Sequence, residues 1–261
     1  MILDEIAAKT IERIEEQKRK IPLQTVRRQA LALPSETGFP FRRSLSEGNG
    51  IHFICEVKKA SPSKGLIAKE FPYLEIAKDY EAAGASAISC LTEPYYFQGS
   101  DHYLEEIAKA VQIPVLRKDF TVDEYMIYEA KVLGASAVLL ICSILEESQL
   151  KDYLELAHSL GLSALVEAHD EAEIEMSLRA KAGIIGVNNR DLKTFTVDIQ
   201  NSIRLRKLVP PEIVFVSESG MKTPEDIAAL RENGTNAVLI GETLMRSPDK
   251  KAMLDTLRGE K

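Results

Sequence analysis

Eight short apolar runs, rich in β-branched residues, recur along the 261-residue chain: His52–Lys58, Ala87–Leu91, Val115–Lys118, Ala137–Ile141, Ser163–Glu167, Ile184–Asn188, Ile213–Ser217 and Ala237–Ile240. Between them lie segments of helical period, among them "PYLEIAKDYEAAG", "DEYMIYEAKVLG", "ESQLKDYLELAHSLG" and "TPEDIAALRENG", several closed by Gly or Asn-Gly caps. Strands that are apolar without alternation need cover on both faces, which helical crossovers supply in parallel sheets. Eight β/α units in about 250 residues therefore predict an α/β fold, a (β/α)8 TIM barrel. The turns "AGASA", "LGASA" and "NGTNA" before strands two, four and eight repeat weakly, as such an architecture expects. An open doubly wound sheet is the rival, but it would carry a GxGxxG turn after its first strand, where this chain reads "KASPSKG". Without an interior linker or low-complexity run, residues 1–261 read as one domain, with the barrel over 50–258.

Residues 1–45 precede the repeating units and form a helical extension, predicted as two helices broken at Pro22 that cover one barrel mouth. The basic cluster in "EEQKRKIPLQTVRRQALALPS" reads mainly as a solvated helix face. A net charge of -7 argues against nucleic acid as a partner, since phosphate neutralisation needs a basic face. No apolar run approaches the roughly 18 residues of a membrane span, and the charged N-terminus is no signal peptide. The expectation is a cytoplasmic protein that meets no membrane; its oligomeric state is open, with a monomer as the working assumption. Cys55, Cys90 and Cys142 stand apart in apolar stretches and read as buried free thiols. His52, His102, His158 and His169 lack metal-ligand spacing, so no metal is expected.

In a barrel, side chains alternate inward and outward and active sites gather at the carboxyl ends of the strands. Glu56 and Lys58 share a face at the end of strand one. Lys118 ends strand three, Glu167 strand five and Asn188 strand six, while Ser219 lies just beyond strand seven. Any one of these alone is most simply a solvated rim residue. Together they put two lysines and two glutamates at one mouth, where burying charges costs several kcal/mol each unless they are paired or used. That pattern suits an anionic substrate and acid–base work. "SESGM" and "LIGETLMRS" follow strands seven and eight, where barrels build phosphate sites, and Gly220 and Gly241 would let backbone amides approach the anion.

On the stretches "ICEVKKASPSKG", "ISCLTEPYYFQGS", "PVLRKDFTVDEYMIYEA", "ALVEAH", "IIGVNNRDLKTF", "VFVSESGM" and "AVLIGETLMRS", which fall in order across nearly all of residues 50–250, the chain resembles the indole-3-glycerol phosphate synthases. The resemblance implies closure of 1-(2-carboxyphenylamino)-1-deoxyribulose 5-phosphate to indole-3-glycerol phosphate, losing carbon dioxide and water without a cofactor. It also implies roles. Lys118 would be the general acid, with nearby Lys58 and partial burial expected to lower its pKa. Lys58 would pair with the substrate carboxylate and could also donate a proton in dehydration; which lysine serves which step stays open. Glu167 would be the base, Glu56 and Asn188 would hold the amino and hydroxyl groups, and Glu218 would orient a lysine. Phosphate would fall to Ser61, the amides of Gly220, Gly241 and Glu242, and to Ser219 and Arg190, and the ring to Phe97, Phe120, Leu139 and Leu239. Two positions depart from the family pattern: Cys142-Ser143, where small apolar residues are common, and Tyr95, where a lysine is expected. Neither departure touches an expected catalytic role. The phosphate loops alone would also suit another phosphate-sugar isomerase or epimerase, from which the two-lysine, two-glutamate constellation separates it; a non-catalytic barrel is the third reading, and acid and base residues at four strand ends weigh against that one.

Overall fold

The structure, a computed structural model, describes residues 2–48, 50–191 and 194–259. Leu192 and Lys193 of "NNRDLKTF", and the chain ends Met1, Glu260 and Lys261, lie outside the described residues. Strands β1 (His52–Val57), β2 (Ala87–Leu91), β3 (Val115–Lys118), β4 (Ala137–Ile141), β5 (Ser163–Ala168), β6 (Ile184–Asn188), β7 (Val214–Glu218) and β8 (Ala237–Ile240) form one closed parallel barrel in which β1 pairs with both β2 and β8. Each strand feeds a helix on the outer layer: α4 (Tyr73–Ala82), α5 (Asp101–Ala110), α6 (Glu124–Val132), α7 (Glu147–Ser159), α8 (Glu171–Arg179), α9 (Gln200–Arg206) and α10 (Pro224–Glu232), with α11 (Glu242–Arg246) and α12 (Lys250–Arg258) after β8. The fold is thus the expected (β/α)8 barrel.

The repeated turns share a physical cause. Gly84, Gly134 and Gly234 each sit at positive φ just past a helix, and the next residue's amide reaches back into the last turn: Ala85 to Tyr80 O at 2.9 Å, Ala135 to Ala130 O at 3.0 Å and Thr235 to Leu230 O at 3.0 Å. The following amide already bonds the neighbouring strand, as Ser86 does to Phe53 O at 2.9 Å. One glycine therefore ends the helix and aims the chain into the sheet.

The pleat divides the core in two. Outward residues such as Phe53, Cys55, Ile88, Val138, Val166 and Phe215 pack against the helices, while Ile54, Ala87, Leu116, Leu139, Leu165, Ile184, Val216 and Leu239 fill the barrel interior. Strand seven runs one residue later than the sequence suggested, over Val214–Glu218 rather than Ile213–Ser217, so Glu218 occupies a strand end.

The N-terminal extension does more than cover one mouth. Helix α1 (Ile2–Lys20) places Leu3 and Ile6 over the carboxyl end of the barrel, and α2 (Leu23–Leu31), begun after Pro22, packs beside α6. A third helix, α3 (Pro40–Ser46), went unforeseen; its fully buried Phe41 and Leu45 join the interior cluster at the opposite end of the barrel. The extension thus straps the barrel from one end to the other. Because Phe41 is fully buried among the inward strand residues, Phe41→Ala should lower stability by roughly 3–5 kcal/mol. Urea unfolding of the purified variant checks this, and a midpoint equal to that of the parent would show that α3 closes nothing.

Candidate active site

At the carboxyl end of the barrel the last inward position of five strands changes from apolar to polar. Along β1 Ile54 gives way to Glu56, along β3 Leu116 to Lys118, along β5 Leu165 to Glu167, along β6 Gly186 to Asn188 and along β7 Val216 to Glu218. These residues floor a cavity of about 550 Å³. All the residues singled out from the sequence line it: Glu56, Lys58, Ser61, Phe97, Lys118, Phe120, Leu139, Glu167, Asn188, Arg190, Glu218, Ser219, Gly220, Leu239, Gly241 and Glu242. Its roof comes from Ile2, Leu3 and Ile6 of α1, and one flank from Phe195, Val197 and Ile199 beyond β6.

The charged floor holds an ion cluster around Lys118 and, beside it, a Glu56–Lys58 pair. Lys118 Nζ lies 3.3 Å from Glu167 Oε2 and 3.7 Å from Glu218 Oε2. Lys58 Nζ donates to Glu56 Oε2. Asn188 Nδ2 donates to Glu167 Oε1 at 3.2 Å, and its own Oδ1 accepts from the Arg190 amide at 3.0 Å. The three carboxylates are all but sealed, at 4% exposure for Glu56, 3% for Glu167 and 2% for Glu218.

This arrangement overturns one expectation. Burial does work to lower the Lys118 pKa, but Glu167, Glu218 and Glu56 outweigh it and raise the ammonium well above the ordinary lysine range. Lys58, expected to supply the opposing positive charge, is itself bound to Glu56. Lys118 is therefore fully protonated at neutral pH. Glu167 also feels burial, which favours its acid form, yet Lys118, His169 and Asn188 hold it well below the usual carboxylate range. Glu218 goes the other way: burial first, then the adjacent Glu167 charge, push it up to about 8 against the pull of Lys118. The cluster thus holds one ionised and one largely protonated carboxyl beside a single ammonium, a division of labour that like-charge crowding enforces.

Two glycines make room for it. A Cβ on Gly186 would strike Glu218 Oε1, and one on Gly241 would strike the Glu56 carboxylate and the Lys58 ammonium. Gly241 therefore serves the ion cluster as well as the loop after β8. On the far side of the cavity Ser219 and Gly220 both adopt positive φ, 67° and 99°. Ser219 carries strain that a glycine would not, of the kind found at ligand-binding turns. Asn189 holds this turn: its Nδ2 donates to Ser217 Oγ at 2.9 Å and to Ser219 O at 3.0 Å, while its Oδ1 accepts from the Ser202 amide and hydroxyl. Thr243 Oγ1 donates to Met221 O at 3.1 Å, joining this turn to α11, whose N-cap Gly241 offers no side chain to its first amides.

Three supporting groups escaped the sequence reading although they sit inside its motifs. Glu93, fully buried, accepts from the amides of Tyr95, Tyr96 and Phe97 at 2.9, 2.7 and 3.0 Å and so fixes the loop that carries Phe97. Phe97 and Phe120 then stand with centroids 6.0 Å apart, forming the aromatic wall. Asp119 accepts from Arg13 of α1 at 2.8 Å and from Thr92 Oγ1 at 2.6 Å, tying the roof to the residue next to Lys118. Asn189 is the third. Strand alternation points Asp119 and Asn189 away from the floor, and their support shows only once Arg13 and Thr92, or Ser217 and Ser202, are placed around them.

Fold and mouth together define the class: a (β/α)8-barrel enzyme whose acid and base groups stand at the strand ends beside a candidate anion pocket. Within that class, the chain belongs to the indole-3-glycerol phosphate synthase family, whose model matches residues 3–257. It is 59% identical over 259 residues to the indole-3-glycerol phosphate synthase of Ruminiclostridium cellulolyticum, covering 99% of each chain. With that of Endomicrobium trichonymphae it shares 57% over 247 residues, 95% of each chain. Among solved structures, a thiamine phosphate pyrophosphorylase from Pyrococcus furiosus aligns with a TM-score of 0.60 at 14% identity over 84% of this chain and 96% of its own. KGPDC from Streptococcus mutans aligns with a TM-score of 0.62 at 10% identity over 81% and 97%. These two report the fold alone.

The raised Glu218 pKa has a measurable consequence. A carboxyl at about 8 when folded and near the ordinary 4.5 when unfolded keeps its proton longer in the native state. Its contribution to stability is present at low pH and is lost as pH rises through that window. Glu218→Gln removes the titration, so its stability relative to the parent should rise from about pH 5 to about pH 8. Denaturant unfolding at both pH values tests this; a stability difference independent of pH would show that Glu218 is an ordinary carboxylate.

Proposed function

We propose that the chain is an indole-3-glycerol phosphate synthase of tryptophan biosynthesis. It closes 1-(2-carboxyphenylamino)-1-deoxyribulose 5-phosphate to indole-3-glycerol phosphate, with loss of carbon dioxide and water. The observation that carries this reading is Lys118 standing between Glu167 and Glu218 at the floor of a cavity that also holds the Glu56–Lys58 pair. A substrate with a carboxylate at one end and a phosphate at the other needs cations and amides at separate points, and the cavity lining includes both the lysines and the glycine-bearing loops after β7 and β8.

In this reading the phosphate is held by Ser61, the amides of Gly220, Gly241 and Glu242, Ser219 and Arg190, and the ring lies against Phe97, Phe120, Leu139 and Leu239. Lys58 pairs with the substrate carboxylate. Lys118 protonates the ribulose carbonyl oxygen as the ring carbon bearing the carboxylate attacks the carbonyl carbon. Carbon–carboxylate cleavage then releases carbon dioxide and restores the ring. Loss of the new hydroxyl as water needs a proton on that oxygen, from Lys118 or Lys58, and removal of one elsewhere, which the ionised Glu167 accepts. Glu56 and Asn188 hold the amino and hydroxyl groups, and Glu218 orients Lys118. Lys118 meets the substrate with its proton in place, and its carboxylate neighbours regain a cation when the lysine is reprotonated. Such proton transfers contribute about 10²- to 10⁴-fold each, added to the effect of holding the sugar chain folded on the ring. A cytoplasmic location belongs to the same reading, which the charged amphipathic α1 supports; among the described residues no helix is long and apolar enough to cross a membrane.

Purified protein given the carboxyphenylamino substrate, without added metal or cofactor, should produce indole fluorescence; no turnover would sink the proposal. Lys118→Ala should lower kcat by about 10²-fold or more while KM changes little. Steady-state kinetics decide it, and a wild-type kcat in that variant would remove Lys118 from the chemistry.

A further inference from the structure

Behind Glu167, on the side away from Lys118, stands a second polar group that the proposed mechanism does not use. His169 leaves β5 two residues after Glu167, and its Nε2 lies 3.4 Å from Glu167 Oε1. That nitrogen is buried and has no hydrogen-bond partner of its own. The other nitrogen, Nδ1, is 3.0 Å from Glu173 Oε2 on α8. Glu173 is in turn fixed from two directions, accepting from the His169 amide at 2.7 Å and, through Oε1, from Ser143 Oγ at 2.6 Å. Ser143 belongs to the Cys142-Ser143 turn after β4, one of the two departures from the family pattern.

We infer that His169, buttressed by Glu173 and Ser143, is a positioning residue that holds Glu167 as an aimed carboxylate, with Oε1 toward Asn188 and Oε2 toward Lys118. This rests on the reading of Glu167 as the base. The charged groups facing the imidazole are carboxylates, Glu167 on its own strand and Glu173 on α8, with Lys118, Glu218 and Asn188 beyond Glu167 and Asp170 beside it in the chain; the Ser143 hydroxyl also lies 3.2 Å from Nδ1. Burial pulls His169 toward its neutral form, but the two carboxylates outweigh it and push it up to about 10. The ring therefore stays cationic at working pH. A carboxylate pinned by one cation alone can swing toward it; pinned between Lys118 and His169 it keeps its position when Lys118 gives its proton away.

The test is made on the full-length enzyme. His169→Ala should lower kcat about tenfold or more with KM nearly unchanged, and its acid limb should move to higher pH by about one unit, since loss of a cation within 4 Å raises a carboxylate's pKa by that order. His169→Asn and Glu173→Gln, each checked for folding by circular dichroism, guard against a simple structural failure; Glu173→Gln should shift the limb in the same direction. In the parent, ¹⁵N shifts of His169 should show both ring nitrogens protonated at about pH 8, where an ordinary histidine is neutral. In Glu167→Gln the ring should titrate closer to its ordinary value. A neutral His169 at that pH in the parent, or a wild-type kcat and acid limb in folded His169→Ala, overturns the inference. If Glu167→Gln itself turns over at the parental rate, the base assignment falls instead.

Discussion

Two lysines and three glutamates share the floor of a closed barrel, and most of what surrounds them exists to make that possible. Isolated, each charge would cost several kcal/mol to bury. Together Lys118, Glu167, Glu218 and the Glu56–Lys58 pair neutralise one another in part, while crowding forces the carboxyls into different protonation states. An ammonium that stays protonated and a carboxylate that stays ionised follow from that crowding. They do not come from a lysine depressed by its neighbours.

Barrel closure is what brings these groups together. Each strand contributes one inward side chain at its carboxyl end, and the closed ring of eight sets those ends around one opening. Beneath them, apolar layers and the α3 plug exclude water, so the electrostatics operate in a medium far less polarisable than solvent. Above them α1 forms the roof, and its Arg13 is bonded to Asp119, one residue from Lys118. Roof and floor are thereby joined through a single buried ion pair, and the glycines at 186 and 241 exist where a side chain would invade the cluster.

Much of the fold was legible because it rests on local signals. Apolar runs, helical periods and helix-ending glycines recur eight times with little ambiguity, and the pleat then says which strand-end residues face inward. Glu56, Lys118, Glu167 and Asn188 were found that way. Glu218 was placed a residue past its strand because Ile213 looks like a strand residue on composition, whereas hydrogen bonding begins at Val214. Helix α3 has no long amphipathic period to announce it; Phe41 and Leu45 matter only because the barrel's open end lies beneath them.

What the amino-acid sequence determined by itself was the architecture and the roster of strand-end residues in the candidate site, since both depend on periodicities of two and 3.6 residues. The tertiary structure alone decided the protonation of that roster and its supports. Lys118, Glu167 and Glu218 lie 49 and 51 residues apart along the chain, so their mutual fields appear only once β3, β5 and β7 close around a common axis. The same is true of Arg13 on Asp119, 106 residues away, and of Ser143 and Glu173 behind His169. Coulomb interactions depend on distance in space, and a linear sequence records only distance along the chain.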